Sequence, residues 1–442
     1  MPPDGAAPAK PLNELFSSLP TTIFEVMSKL AMEHQSVNLG QGFPDAEGPE
    51  SMKKIASAAM YDFHNQYPSL LGVPELRQAV AKHSEREQGI PVDWATETLV
   101  TVGATEGLAS AFLGLINPGD EVIMFDPMYD SYTSMAKRSG ATIKPVRLRL
   151  PDFSVPLDEL AAAVGPATKM IMINTPHNPS GKVFTLPELE AIAALCIKHD
   201  LIALCDEVYE HLVFRGAKHV SLRSLPGMEE RCVRLGSAGK TFSFTAWKVG
   251  WMSGPARLLN PIIKAHQFLV FTVPSSLQRA VAHGLDSEAE FYHSLGPSLE
   301  AKRQLLESLT LPPSPCPSPS PSPPLLNSSL GPSLEAKRQL LEAQLEGLGF
   351  ELLPAHGAYF LVADVSKFLR PGEDDVGFAK RLTVEGGVTT IPISGFYVGP
   401  SPPTHLVRFC YCKEDAKLKA AGERLRAYLG PGGKGCPEPA SA

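Results

Sequence analysis

Gly236-Ser-Ala-Gly-Lys-Thr-Phe-Ser-Phe-Thr-Ala-Trp-Lys-Val-Gly250 sets Ser237, Lys240 and Lys248 around one short loop of small residues. A lysine held there can bind an aldehyde covalently. A loop rich in Gly, Ser and Lys is also an ordinary surface turn, so its surroundings must decide. Two apolar runs flank it, Cys232 to Leu235 and Val249 to Ser253. They belong to a longer rhythm: from Thr98 to Pro255, short β-branched runs alternate with helical patterns, as in a parallel sheet covered by helices on both faces. The other expected strands are Leu99 to Val102, Glu121 to Phe125, Met170 to Asn174 and Leu201 to Cys205. Thr185-Leu-Pro-Glu188 reads as a capping box, and Leu189, Ile192, Ala193 and Cys196 then mark one buried helix face. The fold class is α/β, a large domain with a mostly parallel sheet between helices.

Beyond this core the chain changes character. From about Ser287 to Leu429 it reads as a smaller α+β domain, with strands near Tyr359 to Ala363 and His405 to Tyr411 and a closing helix through Leu418 to Leu429. One region breaks the pattern. Ser294 to Glu307 recurs letter for letter at Ser329 to Glu342, and a Pro/Ser tract lies between the copies. Residues 308–328 hold eight prolines, which preclude both helix and central strand, so a disordered surface excursion is expected there. Removing 308–342 would run Glu307 straight into Ala343-Gln-Leu-Glu-Gly-Leu-Gly-Phe350 as one amphipathic helix and turn. Two identical copies are too few and too alike for a stacked structural repeat, and point to a tandem duplication or an error in the gene sequence. The expected division is a flexible arm 1–20, a segment 21–55 joining the small domain, a large domain 56–286, a small domain 287–430 with the insert 308–342, and a disordered tail 431–442.

Composition narrows the function classes. The 442 residues are 43% hydrophobic with a formal charge of −7, and no basic run offers the footprint of a nucleic-acid or membrane-surface binder. Cys196, Cys205, Cys232, Cys316, Cys410, Cys412 and Cys436 are odd in number and lack Cys-x-x-Cys spacing. They argue against a disulfide framework or a metal site and for a reducing compartment, with a cytoplasmic location expected. No stretch is apolar enough to cross a bilayer, and Met1 to Lys10 lacks the core of a secretory signal.

Several motifs stand where an open α/β sheet binds ligands. Asp206-Glu-Val-Tyr209 follows an apolar run, so Asp206 falls at the carboxyl end of a strand. Asn174-Thr-Pro-His-Asn-Pro-Ser-Gly181 ends another strand in a turn. Thr101-Val-Gly-Ala-Thr-Glu-Gly107 passes from strand to helix. Gly103 permits close approach there, and the free N–H groups of Ala104 and Thr105 can accept a phosphate. Arg408 sits in the run His405 to Tyr411, and a guanidinium is the side chain best shaped to clamp a carboxylate. Each feature has an ordinary structural use when isolated.

Taken in order, from Asn38-Leu-Gly-Gln-Gly-Phe-Pro-Asp45 to Arg408, these pieces resemble the fold-type I aminotransferases that use pyridoxal 5′-phosphate (PLP). Within them the chain is most similar to the group of kynurenine aminotransferase, glutamine transaminase K and cysteine-S-conjugate β-lyase. Asn38 to Asp45, Gly236 to Trp251 and Ile391-Pro-Ile-Ser-Gly-Phe-Tyr397 carry that likeness. The resemblance implies that Lys240 holds the cofactor aldehyde and moves the substrate proton, and that Asp206 keeps the ring nitrogen protonated. It places Ser237, Lys248 and the Gly103-Ala104-Thr105 turn on the phosphate, Tyr129 on the ring face, and Asn174, Asn178 and Tyr209 around the ring oxygen. Arg408 and the backbone of Gly42 would orient the substrate carboxylate, with Phe24 and Phe271 lining a side-chain pocket. Tyr67, in Asn65-Gln-Tyr67, would reach the phosphate of a neighbouring subunit, which implies a homodimer with shared active sites.

Three departures stand out against that group: Ala246 where glycine is usual, and Phe24 and Thr272 where animal members carry tryptophan and histidine. The implied reaction moves an amino group from an aromatic, sulfur-containing or glutamine-like amino acid, kynurenine among them, to a 2-oxo acid. A carbon–sulfur β-lyase and a non-catalytic PLP-binding protein are the alternatives.

Overall fold

The chain turns back on itself at the lysine loop. In the computed structural model, which describes residues 10–214, 216–295 and 334–435, Val249–Ser253 returns antiparallel beside Cys232–Ser237, with Ser237 opposite Gly250. A connection as short as 238–248 permits only this, since a parallel neighbour requires a crossover of roughly a dozen residues or more.

In chain order the first strands are β1 (Val37–Asn38), β2 (Thr98–Val102), β3 (Glu121–Asp126), β4 (Thr142–Arg147), β5 (Thr168–Asn174), β6 (Ile202–Asp206), β7 (Cys232–Ser237) and β8 (Val249–Ser253). Seven of them form one sheet in the order β2-β8-β7-β6-β5-β3-β4. The pairings from β4 through β7 are parallel, while β8 runs antiparallel to both β7 and β2. The sheet is therefore mostly, not wholly, parallel. Side chains alternate between two helical layers: Met170 and Met172 pack with Leu108, Phe112 and Ile262 on one face. Ile171 and Ile173 pack with Leu189, Ile192 and Cys196 on the other. The capping box forms as expected, with Thr185 N–H donating to Glu188 Oε2 at 2.8 Å at the head of helix Leu186–Lys198.

The sequence reading contains no strand at β4. Its Thr142 and Pro145 are exposed, and it pairs only with β3 at the sheet edge, where a proline costs no ladder bond.

The C-terminal part adds β9 (Glu351–Leu352), β10 (Phe360–Asp364), β11 (Val388–Thr389), β12 (Ile391–Pro392) and β13 (Leu406–Cys410). An antiparallel sheet of order β12-β13-β10-β9 packs under the closing helix Asp415–Leu429. β1 pairs in parallel with β11, Val37 opposite Val388, so the N-terminal segment is tied to this part. The second copy of the duplicated segment supplies helix Leu334–Glu346 as far as Glu342, and the helix's Leu341 and Leu345 are fully buried in the same core. Residues 296–307 of the first copy and the tract 308–328 lie outside the described residues. No helix among the described residues is long and apolar enough to cross a membrane.

Candidate active site

The parallel strands β5, β6 and β7 end side by side: Asn174 is opposite Asp206, and Asp206 opposite Leu235. The lysine loop closes over those ends, and β2 delivers the start of helix Gly103–Leu115 to the same place. The result is a cavity of about 460 Å³. Gly103, Ala104, Thr105, Tyr129, Asn174, Asn178, Asp206, Tyr209, Ser237, Lys240 and Lys248 all line it, together with Gly42, Phe24 and Arg408.

Lys240 Nζ donates to the carbonyl oxygen of Gly42 at 3.0 Å and to the hydroxyl of Tyr359 at 2.8 Å. That hydroxyl in turn donates to the Gly42 oxygen at 2.7 Å. Burial pulls the Lys240 ammonium down to about 8, against the opposing pull of Cys412, Cys410 and Asp206. The neutral, nucleophilic amine is thus accessible near neutral pH. Burial likewise pushes the Asp206 carboxyl up, although the Tyr132 hydroxyl at 2.6 Å, the Val208 N–H and Lys240 all favour its ionised form. Such a carboxylate lacks one close cationic partner.

Arg408 is buried at the other end of the cavity. It donates to Asn178 Oδ1 at 2.7 Å and to the Gly40 carbonyl at 2.6 Å, and its Nε has no hydrogen-bond partner. Phe360, Phe24 and Phe396 surround the guanidinium, with ring centroids 4.1, 5.2 and 5.2 Å from Cζ. Because a guanidinium only donates, Asn178 must turn its oxygen toward Arg408, which leaves its amide N–H groups to face the cavity. Asn174 fixes the turn by accepting from Asn178 N–H at 2.8 Å and donating to the Asp206 carbonyl at 2.9 Å.

At the start of helix Gly103–Leu115, Lys248 adopts a left-handed backbone (φ 52°) and approaches Gly103 so closely that a Cβ there would lie 3.2 Å from Lys248 Nζ. Glycine is required at 103 twice over, since its own φ is +64°. Ala246 lies in the short turn Thr245–Trp247 and is not among the residues with positive φ, so alanine fits where glycine is usual.

Two sequence-predicted residues stand elsewhere. Tyr67 is 80% exposed and packs its ring edge-on to Phe271, itself 39% exposed, with centroids 5.3 Å apart. Neither lines the cavity of the single chain. The sequence reading also missed two partners. Tyr132 lies three residues after Tyr129, one helical turn along, and that spacing could have flagged it. Tyr359 comes from the other sheet, and no local signal ties it to Lys240.

The cradle fits PLP. A lysine with a depressed ammonium, a buried carboxylate short of a cation, a glycine–lysine contact at a helix start, and an orphaned guanidinium Nε match its aldehyde, ring nitrogen and phosphate and a substrate carboxylate. The family described as aminotransferase class I and II matches residues 34–310 and 332–425, and the break falls on the Pro/Ser tract. The chain belongs to this family and is a PLP-dependent aminotransferase, acting on amino acids and 2-oxo acids. It is 38% identical over 408 residues to the methionine aminotransferase of Escherichia coli, covering 92% of this chain and 96% of that protein. It is 35% identical over 427 residues to kynurenine--oxoglutarate transaminase 1 of Mus musculus, covering 91% and 94%. The solved structure of N-succinyldiaminopimelate aminotransferase from Mycobacterium tuberculosis superposes with a TM-score of 0.82 at 38% identity, covering 94% of this chain and 99% of that one.

Proposed function

We propose that the amino donor carries a bulky uncharged side chain, aromatic, sulfur-containing or glutamine-like, with kynurenine one member of the set, and that Lys240, Asp206 and Arg408 perform the chemistry. The observation that carries this reading is the guanidinium of Arg408, held by Asn178 and Gly40 inside a box of phenylalanine rings with Nε left to bind. It anchors an α-carboxylate, and Phe24 and Tyr129, 6.4 Å apart, then form an aromatic wall where the side chain begins. The names of relatives acting on methionine and kynurenine support that class.

When bound, PLP supplies the electron sink for the pair left behind as the donor loses its α-proton. Lys240 Nζ, steered by Tyr359 and Gly42, takes that proton. Asp206, held by Tyr132, keeps a proton on the ring nitrogen. Ser237, Lys248 and the helix-start N–H groups would hold the phosphate, and Asn178 with Tyr209 would hold the ring oxygen. A second copy of the chain would bring its own Tyr67 and Phe271 to this cavity.

Mixing the PLP-loaded protein with methionine or kynurenine alone, without oxo acid, tests the reading. One equivalent of the matching 2-oxo acid should form as the visible absorbance changes to that of pyridoxamine phosphate. Pyruvate and ammonia from a cysteine conjugate, with no such conversion of either donor, would instead identify a β-lyase.

A further inference from the structure

The catalytic cavity does not end at its aromatic wall. Thr22, Asp130 and Ser131 line it and also line a second cavity of about 900 Å³, so the two share a wall. Beyond that wall most of the lining is apolar, with Leu19, Ile23 and Val26 from the N-terminal segment and Leu113, Met135 and Leu269 from the large sheet's helices, beside the polar Thr21, Thr133 and Ser134 and the charged Arg138 and Lys380. Thr22 is fixed at the junction by accepting the Glu25 N–H at 3.2 Å, at the start of helix Ile23–Glu33. Asp130 opens helix Asp130–Arg138 directly after Tyr129, so the residue at the aromatic wall is followed at once by the junction.

The ends of the catalytic cavity set the direction. Arg408 and Lys240 fix the carboxylate and the α-carbon, and Phe24, two residues past Thr22, packs against Tyr129. Thr22 and Asp130 stand close to Phe24 and Tyr129 in the chain and line the same cavity, so a side chain leaving the α-carbon along these rings would have Thr22, Asp130 and Ser131 before it.

We propose that this second cavity is an extended side-chain subsite, which admits amino donors with long, unbranched apolar side chains of six or more carbons. The occupant is the substrate's own tail, because the chamber shares Thr22, Asp130 and Ser131 with the catalytic cavity and most of its lining is apolar. The proposal rests on the aminotransferase reading of that cavity. Each methylene entering the chamber leaves water, and about 0.8 kcal/mol per buried CH₂ corresponds to a gain of up to about fourfold in kcat/KM.

The test measures kcat/KM of the PLP-loaded enzyme for norvaline, norleucine, 2-aminoheptanoate and 2-aminooctanoate, with methionine alongside. The expected result is a rise along the series, with 2-aminooctanoate roughly tenfold above norleucine. A flat or falling series beyond norleucine, with methionine still converted, overturns the subsite and leaves the aminotransferase reading standing. No conversion of any donor, methionine included, overturns both. Leu113→Trp, placed on an exposed wall of the chamber, should reduce the ratio of 2-aminooctanoate to norleucine to about one. Val26→Trp makes the same test from the opposite wall if the first variant fails to fold. An unchanged ratio in a folded variant overturns the proposal.

Discussion

The catalytic cavity and the corner at Tyr67 and Phe271 are built from similar residue types and behave in opposite ways. In the cavity, aromatic and charged groups from both sheets hold one another: Arg408 on Asn178, Tyr132 on Asp206, Tyr359 on Lys240. At the corner, the two rings meet edge-on and face solvent, Tyr67 being 80% exposed. A single chain can satisfy the first arrangement because parallel strand ends converge within it. The second leaves Tyr67 and Phe271 exposed in the single chain. This chain assembles the cavity's hydrogen-bond network by itself, and under the proposed dimer a second copy would complete the enclosure.

Lys240→Ala breaks the comparison most severely, since it removes the only amine held inside the cavity's network by both Gly42 and Tyr359. Transamination should fall by at least roughly 10⁴-fold, the upper end for loss of a general base, because covalent attachment goes too. Borohydride should then fix no PLP to the protein; fixation, or activity near the original rate, removes Lys240 from its role.

Arg408→Ala should lower kcat/KM by about 2 to 5 kcal/mol, as for stripping one partner from a buried charged pair. The absorbance of bound PLP should persist, because the proposed phosphate holders, Ser237, Lys248 and the helix start, are separate from Arg408. Loss of PLP with unchanged substrate affinity would reassign Arg408 to the cofactor.

The depressed ammonium of Lys240 sharpens the cavity side of the comparison. With its pKa in the folded protein at about 8, the neutral amine grows about tenfold per pH unit up to pH 8 and then levels. The rate at which PLP-free protein captures PLP should follow that curve. A rate still climbing tenfold per unit past pH 9 would describe an ordinary exposed lysine.

Tyr67→Phe probes the corner. It keeps the ring on Phe271 and removes only the hydroxyl, so a cross-subunit bond to phosphate should be lost at a cost of about 1.5 to 3 kcal/mol in PLP affinity. Equilibrium dialysis reads it directly, and an unchanged affinity leaves the hydroxyl outside any active site.

How much of this was legible depended on whether the signal was local. Strands β5 to β7 are buried on both faces and therefore read as continuous apolar runs, which made the sheet and the position of Asp206 plain. β4 was invisible because an edge strand with Pro145 and half-exposed Lys144 needs no such run. Lys240, Asp206 and Asn178 announced themselves through motifs, whereas Tyr359 meets Lys240 only after two sheets dock. The antiparallel turn at β8 was implicit in the shortness of 238–248, a constraint of chain length that apolar patterning does not encode.

The duplicated segment gives the smallest effect and the sharpest contrast between identical sequences. Its second copy supplies helix Leu334–Glu346 up to Glu342 and buries Leu341, which joins Leu345 just beyond the copy in a core with Phe350, Phe409 and Leu418. Deleting 308–342 joins Glu307 to Ala343, so the first copy, being the same letter for letter, inherits every position the second copy held. The helix core should therefore be unchanged, and only the closure entropy of the intervening chain is removed. That entropy grows slowly with length, as about (3/2)RT ln n, so the deletion should leave thermal stability equal or raise it by on the order of 1 to 3 kcal/mol. The absorbance of bound PLP should not move, since every described residue that lines the catalytic cavity is retained. A deletion variant that fails to fold, or folds without activity, would show that the intervening chain has become part of the structure.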